Sequence, residues 1–186
     1  LSIKTQRIFQ SFTSLTKARD LFRLLGRIAG RKPLVSVIVP AYRCERFIEK
    51  RLASIYAQTF QDFELIVLDD ASDDNSIEVI SNYLARNPRD QFLTRTVNSG
   101  GVFFQWKKGL DQAQGQYIWI AECDDFVDLT FLDMLIARMN KESSGFAFCN
   151  SIPVSIEGDR YDDYQSTYLQ ERSEEHTSEL QSRQYL

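Results

Sequence analysis

LVSVIVPAYRCERFIEKRLASIYAQTFQDFELIVLDDASDDNS, residues 34–76, holds two short apolar runs separated by an amphipathic stretch. Residues 34–40 are rich in β-branched side chains, the pattern of a strand buried on both faces of a parallel sheet. Residues 45–58 put Phe47, Ile48, Leu52, Ile55 and Tyr56 on one broad face and read as a helix. Residues 63–68 read as a second strand. Residues 76–86 read as a second helix, with Asp73, Asp74 and Asn75 as capping candidates. The rhythm then repeats: strand 92–97, helix 102–113 ending near Gly115, strand 117–121, helix 129–140 and a fifth strand at 146–149. Repeated strand–helix units demand right-handed crossovers. They build an α/β fold, a mostly parallel sheet with helices on both faces. Ligands on such sheets sit at the carboxyl ends of the strands.

Composition narrows the function classes. The chain of 186 residues is 43% apolar and 26% charged, an ordinary globular balance. Its net charge of −4 argues against generic nucleic-acid binding. No run of 18 apolar residues is present, which excludes a conventional transmembrane helix. Cys44, Cys123 and Cys149 form no CxxC pair. That argues against a disulfide scaffold or a zinc knuckle and fits a reducing, cytoplasmic compartment. Residues 1–33 carry eight Lys or Arg and one acid, Asp20, so the rest of the chain is strongly acidic. Phe9, Phe12, Leu15, Phe22 and Leu25 recur there at helical spacing. Two readings stay open: an amphipathic helix on the anionic inner face of a plasma membrane, or a helical connector docked on protein.

Acidic residues stand at the predicted strand ends. The second strand runs into Asp69-Asp70-Ala71-Ser72-Asp73-Asp74, the fourth into Glu122-Cys123-Asp124-Asp125, and the first into Pro40-Ala41-Tyr42. One such loop reads equally well as a solvated turn with helix caps. Two on one sheet point to a cation or hydrogen-bonding ligand that offsets their repulsion. Oxygen-only donors suit Mg²⁺ or Mn²⁺ rather than Zn²⁺. The single histidine, His176, makes a Ser/His/Asp triad or a His-based metal site implausible. GxGxxG and GxxxxGK[ST] are both absent, so dinucleotide and P-loop cradles are unsupported.

The run VSVIVPAYRCERFIEKRLASIYAQTFQDFELIVLDDASDDNS at residues 35–76 and the run NSGGVFFQWKKGLDQAQGQYIWIAECDD at residues 98–125 resemble family 2 glycosyltransferases of the GT-A fold. The resemblance covers roughly residues 34–150. It implies transfer of a sugar from a nucleotide-diphosphate donor to the hydroxyl of a glycan or lipid-linked acceptor, with inversion and with Mn²⁺ or Mg²⁺. It implies nucleotide-sugar binding by Pro40, Tyr42, Asp70 and Asp124, with Tyr42 packed on the base and Asp70 accepting a base N–H. Asp125 is the implied metal ligand, while Asp124 faces ribose or sugar, or holds its loop. Glu122 replaces the family's more common Asp, and Arg43 its common Asn. Trp106-Lys107 stand where Arg-Asn is frequent, which leaves Lys107 or Lys108 as a phosphate contact or part of a solvated face. Gly100 and Gly101 after Asn98 resemble the family's turn before a donor-site helix. Cys123 reads as a small space-filling residue.

The family's general base lies in an acceptor half beyond the metal motif. Asp162 and Asp163 are a downstream pair that reads equally well as a polar loop, so the base is unassigned. Residues 172–182 resemble a translated short-read sequencing adapter. The expected organisation is a basic leader at 1–33, an incomplete donor-binding domain at 34–171 and a foreign tail at 172–186. The leading Leu1 likewise suggests an excerpt. The alternative function is a non-catalytic nucleotide-binding or interaction module of the same fold. A nucleotidyltransferase is weaker still, lacking a basic phosphate-binding signature after the first strand.

Overall fold

A computed structural model describes residues 30–84 and 90–154. The expected leader, apart from its last residues, the pair Asp162 and Asp163, and the tail at 172–186 lie outside them. The elements run β1 (Val35–Ala41), α1 (Ile48–Tyr56), β2 (Phe63–Asp69), α2 (Ser76–Leu84), β3 (Gln91–Thr94), α3 (Val102–Gln112), β4 (Tyr117–Ile120) and α4 (Phe131–Glu142). The sheet is parallel throughout, in the order β3-β2-β1-β4. Val35 stands opposite Phe63 on one side and Tyr117 on the other.

Strand alternation sorts the core into two faces. Val35, Val37 and Val39 join Phe63, Leu65 and Val67 against Ile48, Leu52 and Ile55 of α1, Ile80 of α2, and Leu132 and Ile136 of α4. Ile38, Ile66 and Leu68 form the second cluster with Leu93, Ala113 and Ile118. Helix α3 covers this second face. Gly109 lets it approach, since a Cβ there would stand 2.4 Å from Ile38 Cγ2. The chain steps from β1 outward to β2 and β3, then returns past β1 to β4. With right-handed crossovers that reversal puts α3 on the opposite face from α1 and α2. It also opens a crevice at the carboxyl ends of β1 and β4.

Buried polar groups in the sheet are satisfied by the turn into β4. Ser36 Oγ donates to Glu64 Oε1 at 2.6 Å, Gln114 N donates to the same oxygen at 2.7 Å, and Gly115 N donates to Ser36 Oγ at 2.8 Å. Gly115 has to be glycine for this turn, because a Cβ would meet Ser36 N at 2.5 Å.

One expected element is absent. Residues 146–149 pair with no strand among the described residues, and Phe146 and Phe148 are about two-thirds exposed. Strand propensity reflects packing on a neighbouring ladder, and this segment lies against none of the described strands. The helix ends also differ slightly from expectation. Asp74 caps α2, its Oδ1 accepting from Ser76 N at 3.0 Å, whereas Asp73 pairs elsewhere. No helix of the described residues is long and apolar enough to cross a membrane.

Candidate functional site

The strand ends meet around a cavity of about 530 Å³. Its walls include Pro40 and Tyr42 from the turn after β1, Asp70 from the end of β2, and Asn98, Gly100 and Gly101 from the loop before α3. Gln105 of α3 and Glu122, Cys123 and Asp124 after β4 complete them. Of the residues singled out in the sequence, Pro40, Tyr42, Asp70 and Asp124 thus line one cavity. Asp125 is half-buried beside it and is not part of that lining. Lys107 pairs with Asp111 at 3.2 Å on the exposed face of α3, away from the cavity.

Asp70 is the hub of one wall. It is 4% exposed. Its Oδ1 accepts from Ser99 N at 3.0 Å and Gln105 Nε2 at 2.6 Å, and its Oδ2 from Ser99 Oγ at 2.7 Å. Arg95 Nε lies 3.6 Å from Oδ1. The backbone is tied in as well: Asp70 N donates to Ala41 O at 2.9 Å, and Asn98 Nδ2 donates to Asp70 O at 2.9 Å. Backbone and carboxylate of this one residue therefore lock the ends of β1 and β2 to the loop before α3.

Tyr42 is 44% exposed and lines the cavity. Arg43 has φ of 48°, and its guanidinium lies 5.2 Å from the Tyr42 ring centroid. It grips Asp73 with two bonds, Nε to Oδ1 and Nη2 to Oδ2, each 2.6 Å. This pairing raises the Arg43 pKa and lowers that of Asp73. Both side chains are exposed, so the pair orients Tyr42 more than it stabilises the fold.

Ala71 sits in the same loop at φ of 64°. A left-handed conformation costs a residue with a Cβ about 1–2 kcal/mol. Ala71→Gly is therefore expected to stabilise the protein by roughly 0.5–1 kcal/mol after the added backbone entropy is counted. A thermal melt checks this, and an unchanged or lower Tm would contradict the strain.

The wall after β4 is acidic and held from two helices. Trp106 Nε1 of α3 donates to Glu122 Oε1 at 3.0 Å. Arg51 Nε of α1 donates to the Glu122 backbone oxygen at 2.8 Å. Burial raises the Glu122 pKa, the Trp106 bond lowers it, and Asp124 and Asp125 raise it again. Cys44 and Cys123 share the cavity wall, and contact between the thiols lowers the pKa of Cys44 and raises that of Cys123. Both pack against the core, in line with Cys123 as a space-filler.

Sequence reading missed Gln105 and Arg51, and noted Trp106 only as a departure from the family pattern. Arg51 had a signal: with Ile48, Leu52 and Ile55 it falls at i+3 on the apolar face of α1, where a cation is out of place.

Comparison with known sequences matches residues 36–184 to Glycosyl transferase family 2. The chain belongs to that family. An uncharacterized glycosyltransferase of Haemophilus influenzae is 33% identical to this family 2 domain over 123 residues, 63% of this chain and 49% of the relative. A hyaluronan synthase of Pasteurella multocida is 30% identical over 126 residues, 68% of this chain and 13% of the synthase. The domain thus spans half or less of these relatives. Among solved structures, S. aureus TarS residues 1–349 in complex with UDP-GlcNAc superposes with a TM-score of 0.57 and 27% identity. That match covers 65% of this chain and 37% of the other. The parallel sheet with helices on both faces is the GT-A architecture.

Proposed function

We propose that this chain is the donor-binding half of a metal-assisted, inverting glycosyltransferase. It takes a sugar from a nucleotide-diphosphate donor and passes it to the hydroxyl of a glycan or lipid-linked acceptor. The observation that carries this is one cavity lined together by Tyr42 and Asp70, from the ends of β1 and β2, and by Glu122 and Asp124 after β4. Its volume of about 530 Å³ is in the range of small-ligand sites. The solved complexes of TarS with UDP and with UDP-GlcNAc support a uridine nucleotide as the first probe.

Each wall has a chemical task. Tyr42 offers an exposed ring for the base, and stacking contributes about 1–3 kcal/mol. The Arg43 guanidinium, paired with Asp73, lies against that ring. Asp70 Oδ2 accepts one internal bond and keeps a lone pair for a base N–H. Pro40 shapes the turn that carries Tyr42 into the cavity.

Among the described residues no three His, Cys, Asp or Glu side chains form a metal cage by themselves. The oxygen-only donors fit a hard cation all the same. Mg²⁺ commonly takes one or two carboxylates and completes its shell with substrate phosphates. Asp125 would hold Mg²⁺ or Mn²⁺, with Glu122 and Asp124 adding negative field beside it. When bound, the cation neutralises charge on the departing diphosphate. Asp124 is then left for ribose or donor sugar. The nucleoside diphosphate needs no strong general acid to leave, and inversion requires a base on the acceptor side. The family's breadth, with relatives named for hyaluronan and for poly(ribitol phosphate), supports a polysaccharide or cell-envelope product. Such a reaction is served from the cytoplasmic side, and both readings of residues 1–33, a peripheral membrane contact and a helical connector, are compatible with it.

Calorimetric titration with UDP, with and without Mn²⁺, tests the proposal. Metal-dependent binding is expected, weakened about tenfold in Tyr42→Ala. In Asp125→Ala, Mn²⁺ should no longer improve it. A folded sample that binds neither UDP nor Mn²⁺ would instead favour a non-catalytic module of the same fold.

A further inference from the structure

Arg51 is fully buried in the face of α1 that packs on the sheet. Its Nε bonds to the Glu122 backbone oxygen, and the guanidinium lies 5.1 Å from the Trp119 ring centroid. Nη1 and Nη2 are buried without a hydrogen-bond partner among the described residues. Taking a cation out of water in this way is costly unless something offsets it. Burial lowers its pKa to about 10, so it keeps its charge at neutral pH. The offset comes from the loop above it, where the carboxylates of Asp125, Asp124 and Glu122 act to hold the proton on. A purely structural residue at this place would be apolar, as Ile48, Leu52 and Ile55 are.

We propose that Arg51 is a positioning residue, a fixed cation beneath residues 122–125 that holds the loop's carboxylates together before any divalent cation binds. The functional part rests on the reading of that loop as the metal and donor wall. The loop then need not be ordered by the metal, because a built-in charge already offsets much of the repulsion. Trp106 fixes the Glu122 carboxylate from α3, and Arg51 fixes its backbone from α1.

A double-mutant cycle on the full chain tests this. Arg51→Met keeps length and packing on Trp119 but removes the charge. It is expected to lower Tm by about 5 °C or more. Glu122→Gln keeps an acceptor for Trp106 while removing one negative charge. Added to Arg51→Met, it should restore at least half of the lost Tm. Arg51→Lys, which keeps the charge, should melt closer to the parent than Arg51→Met. Strictly additive effects, or a Lys variant as damaged as the Met variant, would overturn the proposal. If Arg51→Met does not fold, a folded double variant supports the proposal and an unfolded one overturns it. Mn²⁺ added alone should raise the Tm of Arg51→Met more than that of the parent. Mn²⁺ that shifts neither protein overturns the metal reading of the loop, while the cycle still decides the role of Arg51.

Discussion

Asp70→Ala is expected to lower stability by about 3 kcal/mol and to weaken UDP binding by at least ~30-fold. The stability loss has a local origin. The carboxylate is almost fully buried and accepts from Ser99 N, Ser99 Oγ and Gln105 Nε2. Its removal leaves those donors facing a void, and Gln105, 3% exposed, cannot turn to water. Each stranded donor costs about 1–3 kcal/mol, partly relieved by rearrangement. For a chain of this size the Tm should fall by about 6–12 °C. The binding loss has two sources, the missing acceptor for the base and the slackened loop before α3. Asp70→Asn separates them, because it keeps one acceptor oxygen but sets an NH₂ against the donors of Ser99 or Gln105. Circular dichroism melts paired with UDP calorimetry are the measurements. A Tm within 2 °C of the parent, together with an unchanged Kd, would remove Asp70 from both roles.

Trp119→Ala should be more damaging to the fold, at about 3–5 kcal/mol. Trp119 is fully buried at the centre of β4 and opposite Val37 in the ladder. Its ring packs on Phe131 of α4, with centroids 4.9 Å apart, and beneath the Arg51 guanidinium. Truncation opens a cavity between sheet, α1 and α4, and removes the aromatic face under a buried cation. The acidic loop begins three residues beyond Trp119, at Glu122, so the loss is expected to weaken UDP binding as well. Trp119→Phe is the control. Its indole nitrogen has no hydrogen-bond partner among the described residues, so Phe gives up little beyond volume. It should cost less than about 1.5 kcal/mol. Urea melts compare the two. An Ala variant within 1 kcal/mol of the parent would mean that β4 is not held by this contact.

The acidic wall balances competing charges. Glu122 gains from Trp106 and Arg51 and loses to burial and to its own neighbours. A folded-state pKa above the unfolded value makes the neutral acid the better-tolerated form. Stability from this group is thus greater at lower pH and falls as pH rises through the folded pKa. The same logic makes Glu122→Gln tolerable and gives the cycle with Arg51 its sign.

Much of this protein can be read along the chain. The runs that became β1, β2 and β4 announce themselves by β-branched residues, and α1 and α3 by their periodicity, because burial on a sheet imposes periods of 2 and 3.6 on neighbours in sequence. The acidic residues after β2 and β4 were legible for the same reason, since a parallel sheet gathers its strand ends on one edge. What only the tertiary structure decided is who touches whom across long separations. Gln105 reaches Asp70 over 35 positions, Trp106 reaches Glu122 over 16, and Arg51 reaches the Glu122 backbone over 71. The residues at 146–149 have strand-like side chains and still form no strand, because a ladder needs a neighbour. Local pattern records which face a side chain turns to the core. It holds no record of which distant group waits there, since that is fixed by how layers stack and not by the order of residues.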